Sequence, residues 1–180
     1  MKNSLIAAIM LAAAVLAGCK EQTPSAKHVI FLGFDAQGSY GIQRSVTPNF
    51  NYMIENGAVS LDTRSVRSTS SSQNWMSMVS GAPIEIHGVL SNGWKPDDPN
   101  RMKPALENAL GFFPTVFDHI RAQRPELRQY AFIEWQGETR MYDMSAFDTS
   151  YVKGIDKTAL SYKDVITKAF EILLTRILLL

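Results

Sequence analysis

The sequence has 180 residues, with 18 Lys and Arg against 17 Asp and Glu, which gives a formal net charge of +1. A balance this close to neutral argues against a nucleic-acid polymer or an anionic membrane surface as the partner. Apolar residues make up 46% of the chain, and the roughly 155 residues that follow the N-terminal segments are enough for one globular domain.

Residues 1–19 have the pattern of an export signal. Lys2 gives a positive start, an apolar segment follows, and Leu-Ala-Gly-Cys at 16–19 resembles a bacterial lipobox. An ordinary signal peptide and a membrane-spanning helix are the alternatives, but the apolar segment is short for a helix that spans a membrane. We expect an exported lipoprotein, anchored to a membrane by a lipid on Cys19 and located in the periplasm or at the cell surface. Residues 20–27 form a polar tether, and a single cysteine permits no intrachain disulfide.

Residues 28–34 are apolar on both faces, which predicts a buried parallel strand. Asp35 follows this strand directly. Functional side chains of open α/β sheets gather at the carboxyl ends of the strands, and a carboxylate there suits a divalent metal ion. We interpret Asp35 as a metal ligand, and a turn or a helix cap is the alternative.

Two further elements are predicted before the serine-rich stretch. Pro48 at the first position predicts a helix that extends to Asn56, and Gly57 ends it. Residues 58–67 alternate loosely between apolar and polar, which predicts a strand. Beyond the serine-rich stretch, the spacing predicts a strand over 130–135, a loop over 144–152 and a helix over 162–173.

Five consecutive hydroxyl residues occupy positions 68–72, followed by Asn74 and an apolar segment over 75–79. This pattern predicts a helix from about Ser72 to Ser80, because hydroxyl residues cap helix N-termini and Trp75, Met76, Met78 and Val79 can be buried. Anions bind at such a terminus, so a nucleophilic serine is well placed there. Since no Gly-x-Ser-x-Gly motif is present, a metal ion is the expected activator. The alternative is a solvated loop or a simple cap.

Five elements occur in an order that resembles the N-terminal portion of the alkaline phosphatase superfamily, in its type I phosphodiesterase/nucleotide pyrophosphatase branch. They are the strand that ends at Asp35, Thr-Pro-Asn at 47–49, Glu-Asn-Gly-Ala at 55–58, a nucleophile motif at 71–74, and Ser-Gly-Ala-Pro-Ile-Glu-Ile-His-Gly at 80–88. The resemblance covers residues 29 to about 117. It implies an α/β fold with an open, mostly parallel sheet and helices on both faces.

The family motif places the nucleophile three residues before its Asn, which identifies Ser71 here and leaves Thr69 and Ser70 as alternatives. Asn74 is then expected to donate its amide to a phosphoryl oxygen in the transition state. The chain departs from the family pattern with Ser71 for the usual Thr and Gln73 for the usual Pro. Gln73 and Trp75 also occupy the Pro and Arg positions of a sulfatase motif, which argues against a formylglycine sulfatase.

The resemblance also implies two zinc ions, one of them bound by Asp35 and Ser71. The remaining family ligands, an Asp-x-x-x-His, an Asp-His pair and a late His, do not follow. We interpret His87 as a structural residue that closes a turn, and Asp118 and His119 as structural residues of a helix that begins after Pro114. The sequence therefore predicts the N-terminal part of a domain over 28–180, with the C-terminal part missing, and no tight zinc binding by this chain alone.

The implied function is metal-dependent hydrolysis of phosphoric diesters or anhydrides, with a small phosphoester or a nucleotide as substrate. A catalytically inactive lipoprotein or binding module is the first alternative. A phosphomonoesterase, phosphonate hydrolase or sulfatase-like enzyme of the same superfamily is the second. The turn-rich loop at 92–100 is expected to line the substrate pocket, with Trp94 either stacking on a ring or anchoring the loop.

Overall fold

The structure is a computed structural model that describes residues 28–154 and 161–177. The predicted signal segment, the lipidation site Cys19 and the tether lie outside the described residues. The chain divides into two compact units, Met1–Gly33 and Phe34–Leu180. Of the first unit only residues 28–33 are described, and all the elements below belong to the second.

The prediction of a buried strand over 28–34 is wrong for the described structure. These residues have no strand assignment, and Val29 is 90% exposed. A parallel strand forms only where a neighbouring strand pairs with it, and no described residue provides that pairing. The apolar pattern therefore indicates a preference for burial, but it does not show whether a neighbouring strand is present to pair with the segment.

The described helices, in chain order, are α1 (Ser39–Arg44), α2 (Pro48–Asn56), α3 (Ser71–Ser80), α4 (Ile84–His87), α5 (Val116–Gln123) and α6 (Tyr162–Ile177). The predicted helices α2, α3, α5 and α6 are confirmed, whereas α1 and the short α4 were not predicted. Helix α5 begins with a reciprocal capping box, in which Thr115 and Asp118 satisfy each other's main-chain and side-chain groups.

Helix α2 begins at Pro48 and ends before Gly57, as predicted, but Gly57 is extended, with φ −139°. The strand predicted over 58–67 is absent, because the segment has no strand partner among the described residues. Its end is fixed by a side chain instead, since the Val66 main-chain N–H donates to Oδ1 of Asn74 at 3.0 Å.

Helix α3 begins at Ser71 and is followed by Gly81 in the left-handed conformation, with φ +67°. A side chain at that φ would be strained, so glycine suits the position. Met76 is fully buried and Val79 nearly so, as the sequence predicts. Met78 was predicted to be buried but is 55% exposed, because it lies on the opposite side of the helix from Met76.

The sheet consists of β1 (Tyr130–Ile133) and β2 (Thr149–Val152), which pair in parallel with Tyr130 opposite Thr149. The strand β2 falls in a segment that was predicted to be a loop. A parallel pair needs a long crossover, and residues 134–148 provide it with two short 3₁₀ helices, Gln136–Arg140 and Met144–Ala146. Mixed helices and a small parallel sheet are compatible with the α/β class.

One core packs α3 against the crossover between the strands. Its buried members are Met76, Val79, Val89, Trp94, Met141 and Tyr142. Asp148, just before β2, connects the neighbouring elements through ion pairs with Arg121 and Arg128 and a hydrogen bond from the Gln129 main-chain N–H. Within residues 28–154 and 161–177, no helix has the length and apolar character needed to cross a bilayer.

Candidate active site

Asp35 and Ser71, which are 36 positions apart, lie in direct contact. The Ser71 hydroxyl donates to Oδ2 of Asp35 at 2.9 Å. The two residues interpreted as ligands of one zinc therefore lie side by side. Both line an open pocket of about 720 Å³.

Asp35 is held in a tight local turn. Its Oδ1 accepts from the Ala36 main-chain N–H at 2.9 Å, so one carboxylate oxygen orients the side chain and the other contacts Ser71. Ala36 has φ +57°, a left-handed conformation that is uncommon for a residue with a side chain. Such strained backbone often occurs beside functional groups.

Ser71 is the first residue of α3, and Ser70 before it is the N-cap, with extended backbone. The partial positive charge of a helix N-terminus favours an anion or a developing alkoxide at this position. Ser70 makes no capping hydrogen bond with its own side chain. Instead, the Ser72 main-chain N–H donates to Oδ1 of Asn92 at 3.0 Å.

Asn74 lies in the same pocket, and its side chain organises the loop before α3. Its Nδ2 donates to the Ser70 carbonyl at 2.9 Å, and its Oδ1 accepts from the Val66 N–H at 3.0 Å. Because an amide nitrogen carries two hydrogens, the second remains for an acceptor in the pocket. The predicted contact between Asn74 and a phosphoryl oxygen stays a prediction.

The alternative nucleophiles differ in their surroundings. The hydroxyl of Ser70 donates to Oε1 of Gln73, and Ser70 does not belong to the pocket lining, whereas Thr69 does. The hydroxyl that contacts the Asp35 carboxylate is that of Ser71. The geometry therefore favours Ser71 over both alternatives.

Gln73, at the position where the family has Pro, is almost completely buried. Its Nε2 donates to the Leu90 carbonyl, and its Oε1 accepts from Ser70. The first turn of α3 is thereby tied to the chain after α4. The sequence gave no signal for this contact beyond an amide in place of proline.

The loop at 92–100 does not line this pocket, so its predicted role is wrong there. Trp94 is buried in the core, with the Arg101 guanidinium 5.9 Å from its ring centroid. The anchoring interpretation of Trp94 is therefore the correct one. A large aromatic side chain next to an apolar core gains more by burial than it would on an open pocket wall.

The pocket has an aromatic and apolar part that the sequence did not predict. It is formed by Phe34, Tyr40, Trp75 and Met78. Helical spacing places Trp75 and Met78 on the side of α3 that carries Ser71, since the positions are four and seven residues further along. That spacing was the signal that could have identified them, and it also accounts for the exposure of Met78.

His87 and His119 are not among the residues that line this pocket. His87 is fully buried, and its Nδ1 accepts from the Val89 N–H at 3.1 Å while Nε2 lies 2.9 Å from the Ser77 hydroxyl. Burial lowers its pKa, although the charge of Glu85 opposes this. His87 is therefore a neutral residue that closes the turn after α4.

Glu138, on the first 3₁₀ helix, is a mostly buried acid whose pKa is raised. Burial raises its pKa, a hydrogen bond from Tyr142 opposes this, and the negative charge of Asp35 raises it further. The Tyr142 hydroxyl donates to Oε2 of Glu138 at 3.0 Å.

Asp35 and Ser71 provide two oxygen donors of the kind that zinc accepts. Among residues 28–154 and 161–177 there is no cluster of three or more His, Cys, Asp and Glu side chains able to hold a metal ion. Catalytic zinc sites use three protein ligands. The pair therefore fits as part of a zinc site and does not complete one.

Comparison with known proteins gives one family. Residues 29–153 match the family model described as Type I phosphodiesterase / nucleotide pyrophosphatase. The matched range contains Asp35, Ser71 and Asn74. Neither the curated proteins nor the solved structures give a significant match.

Proposed function

Because the chain belongs to the type I phosphodiesterase/nucleotide pyrophosphatase family, whose model matches well over half of its length, we propose a function of that type. The chain would contribute to a metal-dependent hydrolase of phosphoric diesters or anhydrides. The observation that carries the proposal is the 2.9 Å contact between the Ser71 hydroxyl and Asp35. Small phosphoesters and nucleotides are the corresponding substrates.

In the proposed reaction, Oγ of Ser71 attacks phosphorus as the bond to the leaving alcohol or phosphate breaks. The Ser71 proton, which is directed at Oδ2 of Asp35 in the structure, ends on the leaving group or on solvent. Water then hydrolyses the phosphoserine and regenerates Ser71. The positive end of α3 stabilises charge on the attacking oxygen, and the second amide hydrogen of Asn74 is available to a phosphoryl oxygen.

We propose that Asp35 and Ser71 are ligands of one of two zinc ions. Zinc would supply Lewis-acid activation of the serine hydroxyl and charge stabilisation at phosphorus. Further ligands are needed for tight binding, so this chain alone is expected to bind zinc weakly.

The test is hydrolysis of bis(p-nitrophenyl) phosphate by the purified chain with added zinc. Ser71→Ala is expected to lower kcat by more than about 10³-fold, as loss of a nucleophile does in other enzymes. Thr69→Ala is the matched control, because Thr69 lines the same pocket. Equal losses in both variants, or substantial turnover by Ser71→Ala, would remove Ser71 as the nucleophile.

An inactive binding module is the second candidate, and the incomplete ligand set among the described residues favours it. In that case, the wild-type chain gives no zinc-dependent turnover and retains no stoichiometric zinc after dialysis. Metal analysis of the dialysed protein therefore accompanies the assay.

We further infer that Cys19 carries a lipid and anchors the exported protein to a membrane. Support comes from the Leu-Ala-Gly-Cys sequence at 16–19 after an apolar segment. Mass spectrometry of the protein from membranes is expected to find a lipid-modified N-terminal Cys19, and Cys19→Ala should abolish the modification. An unmodified, uncleaved N-terminus would refute the assignment.

A further inference from the structure

We propose that helix α6 pairs antiparallel with α6 of a second copy of this chain, so that the chain forms a two-fold symmetric dimer. The surface that carries the proposal is a row of apolar side chains at intervals of four residues, called here the α6 stripe: Tyr162, Ile166, Phe170 and Leu174. Each of these residues is between 49% and 59% exposed. A continuous exposed apolar patch typically marks an interaction site.

The helix that carries the stripe is fixed in place. Its start is set by a capping box, in which the Ser161 main-chain N–H and hydroxyl both donate to Oδ2 of Asp164 at 2.8 Å and the Asp164 N–H donates to the Ser161 hydroxyl at 3.3 Å. Another side of α6 packs on both strands of the sheet, and Val165 is almost completely buried. The helix therefore cannot rotate to bury the stripe without exposing Val165.

The stripe faces sideways from the sheet. A step of four residues turns about 40° around a helix, so the four members cover an arc of about 120°. Val165, on the buried side, lies roughly 120° from the middle of that arc. The helix has 16 residues, a length of about 24 Å. This surface suits a second helix that lies alongside α6.

The spacing of the stripe is self-complementary about its midpoint at Lys168. Tyr162 and Leu174 lie at equal distances from that midpoint, and so do Ile166 and Phe170. In an antiparallel pair related by a two-fold axis, Tyr162 therefore faces Leu174, and Ile166 faces Phe170. Such an interface is closed, because each contact occurs twice and no apolar patch is left over.

The charges beside the stripe also favour the antiparallel pair. Lys163 and Glu171 are both exposed, on the flank of the stripe that faces away from the sheet. An antiparallel pair brings Lys163 of one copy within about 3 Å of Glu171 of the other, measured along the helix axis. A parallel pair would oppose like charges instead. Glu171 already accepts from Lys168 at 2.7 Å, but a carboxylate has acceptor sites for a second cation.

A membrane surface is the competing partner for an apolar helix face. Helices that lie on membranes are rich in Lys and Arg on their polar face. The described side chains of α6 instead include two lysines and two acids, Asp164 and Glu171. This balance favours a protein partner with charges of both signs, which a second copy provides.

Sedimentation velocity of the full chain over about 1–100 µM tests the proposal, because an interface of one helix pair is small and roughly micromolar dissociation is expected. The wild-type chain should approach a discrete dimer at the upper end. Phe170→Glu puts a charge in the stripe and should weaken dimerisation at least about 30-fold. Tyr52→Glu is the matched control, since Tyr52 is a similarly exposed aromatic residue on α2. Circular dichroism shows whether each variant is folded.

Charge reversal tests the antiparallel register. Lys163→Glu and Glu171→Lys each bring like charges together twice in a dimer of one variant, which should weaken it by about 3- to 30-fold. An equimolar mixture of the two variants pairs opposite charges at both ends, and it should dimerise as tightly as the wild type. These variants change only exposed side chains, so they decide the question even if Phe170→Glu fails to fold.

Three results would overturn the proposal. One is a wild-type chain that stays monomeric, including a monomer that floats with phosphatidylcholine vesicles and loses this binding in Phe170→Glu, which would assign the stripe to a membrane. Another is a dimer that a folded Phe170→Glu variant leaves unchanged, or an open series of larger oligomers. The third is a mixture of the charge variants that associates no better than either variant alone.

Discussion

Replacing His87 by Ala tests whether this histidine supports the turn rather than the chemistry. His87 is fully buried beside Val89, which is also buried. Because its Nδ1 accepts the Val89 N–H, the ring proton is on Nε2, which donates to the Ser77 hydroxyl at 2.9 Å. His87→Ala removes both hydrogen bonds at once.

The expected loss can be built from these contacts. A buried Val89 N–H without an acceptor costs about 1–3 kcal/mol, and the lost bond to Ser77 costs about 0.5–1.5 kcal/mol. Part of the ring volume becomes a cavity, which adds roughly 1 kcal/mol. We expect His87→Ala to lower the free energy of unfolding by about 3–4 kcal/mol.

Urea denaturation followed by tryptophan fluorescence measures this loss. His119→Ala is the control, because His119 is exposed and its removal should change stability by less than about 0.5 kcal/mol. A loss below about 1 kcal/mol for His87→Ala would refute the interpretation of the buried contacts.

The pH dependence gives a second check on His87. Burial lowers its pKa below the ordinary value of 6.5, so the unfolded chain takes up a proton at higher pH than the folded chain does. The stability associated with neutral His87 is therefore present above about pH 6.5 and is lost as the pH falls below it. His87→Ala should lose this component, and a wild-type protein whose stability rises on acidification through this range would contradict it.

Two further predictions concern the packing of the core and the loss of stability at acidic pH. Met76→Ala should lower the free energy of unfolding, measured by urea denaturation, by about 2–5 kcal/mol because Met76 is fully buried. Met78→Ala on the same helix should lower it by less than about 0.5 kcal/mol. Equal losses would refute the assignment of Met76 and Met78 to opposite sides of α3. The Gln129 N–H, then Arg121 and Arg128, lower the pKa of Asp148, so its contribution is present above about pH 4 and is lost as the pH falls. Asp148→Asn should reduce this loss of stability at acidic pH, and an unchanged loss would exclude Asp148 as its source.

The sequence predicted local structure well where the determinants are local. Pro48 fixes the start of α2, because proline geometry acts within one turn. The hydroxyl residues predicted the start of α3 to within one residue, although the Ser70 side chain makes no capping bond and the acceptor for the Ser72 N–H is the distant Asn92. The family motif identified Ser71 and Asn74 as candidate site residues from their spacing. The predicted strand end and the family pattern identified Asp35, although the strand itself is absent from the described structure.

Predictions that depended on distant partners were less successful. The segments 28–34 and 58–67 were predicted to be strands from patterns of apolar residues, yet pairing depends on neighbours that the pattern does not contain. Conversely, β2 was missed because Thr149–Val152 is too short to show a clear alternation. Its parallel pairing with β1 joins residues 19 positions apart, such as Tyr130 and Thr149.

The sequence by itself determined the family, the helix that carries Ser71 and the pair of candidate ligands, since each depends on residue types at fixed spacing. The tertiary structure decided which groups meet: it placed Ser71 against Asp35 and Asn92 on the Ser72 amide. It also placed Trp94 in the core and left Met78 beside the pocket. These outcomes depend on packing between segments that are distant in sequence, where hydrogen-bond geometry and burial select one arrangement among many that the local pattern permits.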